Sequence, residues 1–88
     1  MFYTYVLLSK KDDDFYIGCT DNLTKRLKEH NSGKVFSTKS RLPMVCIYTE
    51  VCLDDRDAKQ REKYFKTGIG KRFLKQRLYR YFSRTGLR

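Results

Sequence analysis

Tyr5, Tyr16, Arg26, His30 and Glu62 carry the side chains best suited to chemistry on an anion. Phenols and an imidazole can move protons, the imidazole titrating near neutrality. A guanidinium presents a fork of donors to an oxyanion. A carboxylate can hold a hard divalent cation together with water and ligand oxygens. Each residue also has an ordinary use. A strand tyrosine commonly packs, a histidine near a helix end meets the helix dipole, and an arginine is commonly solvated. Glu62 stands four residues before Lys66, the spacing of a surface ion pair. Only the elements that carry these residues can separate the two readings.

Tyr3 to Leu8 alternates aromatic, β-branched and aliphatic residues, which predicts a half-buried strand. The charged Lys10 to Asp14 is expected to be a solvated turn, and Phe15 to Gly18 a second short strand. So short a link implies an antiparallel hairpin, in which Tyr3, Tyr5 and Tyr16 project near one another. Thr20 or Asp21 is then expected to cap a helix through Leu23, Arg26, Leu27 and His30, with Asn31 and Gly33 as stop signals. At about 100° per residue, Leu23 and Leu27 lie about 40° apart and form the buried seam. Arg26 falls about 60° from Leu23 and His30 about 20°. Both therefore border the seam and should hang over the sheet, near the tyrosines.

Ser32 to Pro43 is irregular, and its Lys34, Lys39 and Arg41 suit either a phosphate backbone or plain solvent. Met44 to Val51 reads as a third strand, with Val45, Ile47 and Val51 alternating with Cys46, Tyr48 and Glu50. Asp54, Asp55 and Asp57 open a second helix, expected to reach about Thr67 and to end at Gly68-Ile69-Gly70. Glu62 shares its apolar stripe with Ala58 and Phe65, and a carboxylate there needs a partner or a metal. Lys71 to Phe82, with Leu74, Leu78 and Tyr81 or Phe82 at helical spacing, predicts a third helix with a basic outer face. The expected class is α+β, a three-stranded, largely antiparallel sheet flanked by helices in the order β-β-α-β-α-α. Residues 1–83 are expected to form one domain, and 84–88 a frayed tail.

Tyr3-Thr4-Tyr5, then Tyr16-Ile17-Gly18, then Arg26 and His30, in this order and spacing, resembles the GIY-YIG nuclease superfamily in its small single-domain branch. The first triplet matches only at Tyr5, and the second matches in full. The likeness runs on through Thr38, Lys39 and Pro43 to Arg61-Glu62. The resemblance implies a metal-dependent endonuclease that hydrolyses DNA phosphodiester bonds, with a place in DNA repair or recombination. Tyr5 or Tyr16 would be the general base; the reading preferred here is Tyr5 aided by His30, with Tyr16 orienting. Arg26 would stabilise the pentavalent phosphate, and Glu62 would be the sole protein ligand of one Mg²⁺ or Mn²⁺. Gly18, Lys39, Lys71, Arg72 and Lys75 are the expected substrate contacts, Gly18 by letting backbone or substrate approach closely. Many members carry an asparagine after the metal-binding glutamate; this chain has none beyond Asn31, and Gln76 is the candidate substitute.

Composition points the same way. The chain has 88 residues, room for one domain, and a net charge of +10. Residues 1–58 hold 9 basic and 9 acidic residues, so the whole excess lies in residues 59–88, where Glu62 is the one acid. So one-sided a block suggests a polyanion, most simply a nucleic acid, with DNA the first candidate and RNA the second. The alternative to an enzyme is a non-catalytic nucleic-acid-binding module that uses this basic helical face. No apolar run is long enough to span a bilayer and no signal-peptide pattern opens the chain, so no membrane partner is expected and the cytoplasm is the default location. Cys19, Cys46 and Cys52 match neither a zinc spacing nor a disulfide framework and read as reduced thiols. A protein partner supplying target specificity is a further expectation.

Overall fold

The computed structural model describes residues 1–86. Two strands, β1 (Phe2–Ser9) and β2 (Phe15–Thr20), form the hairpin, and β3 (Met44–Cys52) pairs with the other edge of β1, giving the antiparallel order β2-β1-β3. Among the described residues α1 (Leu23–Asn31) lies between β2 and β3, and α2 (Asp55–Phe65), α3 (Gly68–Arg77) and α4 (Tyr79–Thr85) follow β3. The class is α+β. Among the described residues no helix is long and apolar enough to cross a membrane.

The period-two pattern of β1 divides the core. Tyr5 and Leu7 face α1 and pack with Met44, Leu23 and Leu27. Val6 faces the other way and packs with Ile17, Phe65 and Leu74, beneath α2 and α3. On β3 the expected alternation is interrupted. Val6 pairs with Tyr48 and Leu7 with Cys46, so Ile47 is the extra residue of a bulge. Val45 therefore shares a face with Tyr48, and Cys46 with Thr49.

Several boundaries differ from those the sequence suggests, each for a local reason. The cap of α1 is Asn22, whose side chain accepts from the Lys25 N–H at 3.1 Å. The expected cap Thr20 instead accepts from the Asn22 N–H at 3.1 Å and so shapes the turn ahead of it. Helix α2 stops at Phe65, and Gly68-Ile69-Gly70 is the first turn of α3, where Thr67 accepts from the Gly70 N–H at 3.0 Å. A Cβ on Gly70 would overlap the Tyr64 carbonyl, so this glycine is what lets α3 seat against α2. The expected helix Lys71 to Phe82 is two helices broken at Leu78. No glycine or proline marks that break. It turns the buried Phe82 onto Phe15 of the hairpin, 5.9 Å between ring centres. The segment 84–88 begins inside α4; positions 87 and 88 lie outside the described residues.

Arg61 fastens α2 to the sheet. It donates from Nε and Nη2 to the two oxygens of Glu50 on β3, at 2.7 and 3.0 Å. Its guanidinium also lies over the Tyr64 and Phe65 rings, 4.7 Å from each centre. The roll of α2, and hence the direction of the next residue, Glu62, follows from that clamp.

Candidate active site

Alternation along β1 points Tyr5 at α1, where the seam geometry has already placed His30. The Tyr5 hydroxyl and His30 Nε2 are hydrogen-bonded at 2.9 Å, and both residues are buried. His30 Nδ1 is in turn 2.8 Å from the hydroxyl of Thr38, in the loop between α1 and β3. Tyr16, opposite Leu7 and diagonal to Tyr5, meets the imidazole edge-on with ring centres 5.1 Å apart. Gly18 lies directly across from Tyr5, and a Cβ there would overlap the phenol. The space that Gly18 leaves is filled by the Tyr5 ring itself.

Arg26, one helical turn before His30, is half-buried and pairs with Glu29 at 3.1 Å. Its guanidinium also approaches Tyr5. Burial holds the Tyr5 phenol above its ordinary pKa, and Arg26 works against that rise. Arg26 lines an open groove with Cys19, Asn22 and Glu29. Glu62 lines a second groove with Arg56, Lys59, Lys63 and Lys66. Cys19 touches both sides. It lines the Arg26 groove, its thiol donates to the Ala58 carbonyl at 3.3 Å, and burial followed by the neighbouring Glu62 carboxylate pushes it up to about 11. The charge of Glu62 also reaches Tyr5. Arg26 and Glu62 thus line different grooves, with Cys19 between them.

The expected ion pair of Glu62 with Lys66 is present at 3.0 Å. Exposed pairs of this spacing contribute about 0.3–0.5 kcal/mol, too little to bar a divalent cation. Among the described residues no three His, Cys, Asp or Glu converge on one point. A lone carboxylate in an open, wet groove is a donor set suited to Mg²⁺, which keeps most of its water. Lys39 is exposed, its ammonium 4.9 Å from the Phe36 ring centre. Lys71, Arg72 and Lys75 are exposed on α3.

The GIY-YIG catalytic domain family matches residues 1–75. The chain belongs to the GIY-YIG superfamily. The two triplets of this GIY-YIG domain are thus the facing segments of one hairpin, with Tyr5 and Gly18 in register. The chain is 48% identical over 65 residues to a UPF0213 protein of Bacillus licheniformis, a match that spans 73% of this chain and 66% of the relative. A UPF0213 protein of Clostridium perfringens is 42% identical over 67 residues, spanning 75% and 71%. UPF0213 protein YazA of Bacillus subtilis is 41% identical over 63 residues, spanning 70% and 64%. The GIY-YIG chain thus spans about two thirds of the length of these relatives. No solved structure matches it significantly.

Two residues at this GIY-YIG site escape sequence reasoning. Thr38 lies in an irregular loop, and nothing in its spacing ties it to His30. Cys19 follows Gly18 directly, but a lone cysteine gives no signal of what it will face.

The buried imidazole has a consequence for stability. Burial, then the Arg26 charge, holds His30 below its ordinary pKa of 6.5. The unfolded chain therefore takes up that proton first as the pH falls, and the stability present above the unfolded pKa is lost on the way down. The denaturant midpoint is expected to fall between about pH 6.5 and 5, before carboxylates with ordinary unfolded values near 4 begin to titrate. His30→Gln should flatten that interval, and a wild-type midpoint constant across it would contradict the assignment.

Proposed function

We propose that the protein is a metal-dependent endonuclease hydrolysing DNA phosphodiester bonds, with Tyr5, Tyr16, Arg26, His30 and Glu62 as its site residues. The observation that carries the reading is the hydrogen bond between Tyr5 and His30 with Arg26 beside it and the Glu62 charge felt from α2. Three separate elements supply these groups, and the buried phenol, bonded to the buried imidazole, lies against a guanidinium that lines an open groove.

In this reading Arg26 holds the non-bridging oxygens of the scissile phosphate and meets the charge that grows there in the transition state. A water attacks phosphorus, the P–O bond to the leaving sugar oxygen breaks, and that oxygen leaves with a proton from solvent. The attacking water passes its proton to the Tyr5 oxygen after the phenol has released its own proton to solvent, a loss that burial opposes and Arg26 assists. Tyr16, half-buried against the imidazole, orients the water or the phosphate. Glu62 would hold Mg²⁺ or Mn²⁺, whose part is to neutralise phosphate charge and lower the pKa of water. Lys71, Arg72 and Lys75 enter no ion pair among the described residues and would meet backbone phosphates beyond the site.

Purified protein is expected to nick or cut branched, single-stranded or duplex DNA in Mg²⁺ or Mn²⁺, and to stop in excess EDTA. Absence of metal-dependent cleavage on all three substrates would leave only the reading as a DNA-binding module.

A further inference from the structure

We infer that Thr38 fixes His30 as its Nε2–H tautomer, so that the Tyr5 oxygen accepts the hydrogen bond from the imidazole instead of donating one to it. Thr38 and the ring of His30 are wholly buried. Among the described residues the Thr38 hydroxyl has one side-chain partner, His30 Nδ1 at 2.8 Å. The neutral imidazole has one N–H to give and one lone pair to offer, and it stands between two hydroxyls. One hydroxyl must donate into the ring, and the other must accept from it and place its own proton elsewhere. Thr38 is sealed from solvent, and a buried O–H with no acceptor is the costly error. Tyr5 is itself only 1% exposed, but it borders Arg26, a half-buried residue that lines an open groove, and that side offers its hydroxyl a path to water or a substrate oxygen that Thr38 lacks. The asymmetry assigns the donation to Thr38, leaves Nδ1 bare, and puts the ring proton on Nε2, 2.9 Å from Tyr5.

The neutral ring that this requires agrees with the lowered pKa of His30, to which burial contributes most and the nearby Arg26 charge next; Glu29 opposes them. The consequence is that the Tyr5 oxygen receives a donor from His30 as well as the Arg26 charge, both of which work against the rise that burial imposes on the phenol. Thr38 is then a positioning residue: it touches no reacting atom, and acts by deciding which ring nitrogen carries the proton. Its effect on rate rests on the nuclease reading; its effect on the tautomer does not.

His30 is the one histidine of the chain, so nitrogen NMR of imidazole-labelled protein shows a single pair of ring nitrogens. In the wild type at neutral pH, Nε2 is expected in the protonated, pyrrole-like range and Nδ1 in the pyridine-like range, displaced by the bond it accepts. Thr38→Ser should keep that pattern. Thr38→Val has nearly the same shape but no hydroxyl, and should shift both signals toward an average of the two tautomers. Metal-dependent cleavage should fall about tenfold in Thr38→Val, the rate equivalent of one neutral hydrogen bond, and stay within about threefold in Thr38→Ser. A wild-type spectrum with the proton on Nδ1 overturns the inference, as does an unchanged pattern in Thr38→Val. The expected spectra without DNA cleavage by any variant would uphold the tautomer and remove the nuclease reading.

Discussion

Glu62→Gln is expected to lower metal-dependent DNA cleavage by at least about a thousandfold, the equivalent of roughly 4 kcal/mol of transition-state stabilisation. The substitution keeps the length and helix-forming ability of the side chain and removes only the charge. Its structural cost is small, because the carboxylate lines an open groove and its pair with Lys66 is of the exposed i,i+4 kind. Its chemical cost is large, because among the described residues no cluster of three ligating side chains stands nearby to take over a cation. Two further measurements make the result specific. Binding of Mn²⁺ should be lost with the carboxylate. Affinity for DNA in EDTA should be retained, since the basic residues of α2 and α3 are untouched and the variant is one charge more positive. Cleavage by Glu62→Gln at the wild-type rate would end the single-carboxylate scheme. Wild-type and variant binding without cleavage by either would favour the binding module.

The open groove around Glu62 shows why one carboxylate is enough in this scheme. The neighbouring cations Arg56, Lys59, Lys63 and Lys66 line the same surface, so an approaching phosphate is drawn to the place where the cation would sit. Phosphate oxygens and water then complete a coordination shell that the protein begins. The half-buried clamp of Arg61 on Glu50, one residue before Glu62, keeps the helix from rolling as charges come and go.

Most of the architecture was legible because it follows from short-range pattern. The alternation in Tyr3 to Leu8, the charged link and the glycine after Ile17 specify a hairpin, and Leu23 with Leu27 specifies which face of α1 turns inward. The meeting of Tyr5 with His30 follows from those two facts together. What was hidden depends on contacts between distant segments. The break at Leu78 carries no glycine or proline and exists because Phe82 is buried against Phe15. Gly68 and Gly70 read as the stop of the second helix, but they open α3, and Gly70 is needed where α3 meets the backbone of α2. The bulge at Ile47 reverses the facing of half a strand that otherwise alternates regularly. Thr38 could be joined to His30 only once the loop was seen to fold back over the end of α1.

The largest effect on the site from a residue that does no chemistry is expected at Gly18. In register with Tyr5 on the neighbouring strand, it presents bare backbone to the phenol, and an added Cβ would overlap the hydroxyl end of that ring. The ring cannot simply swing aside. It is 1% exposed, packed with Leu7 and Met44, and hydrogen-bonded to a histidine that is itself held by Thr38. Gly18→Ala must therefore either part the two strands or drive Tyr5 from His30. Overpacking of this kind costs about 1–3 kcal/mol, which should be visible as a lower denaturant midpoint. If the strands hold and the phenol moves, cleavage should fall by at least about a hundredfold, since a displacement near 1 Å of a reacting group has that effect. The His30 nitrogen signals would report the loss of the Tyr5 contact directly. A variant with wild-type stability, rate and imidazole spectrum would show that the phenol has another place to go, and that the glycine of the second triplet serves something other than the close seat of Tyr5.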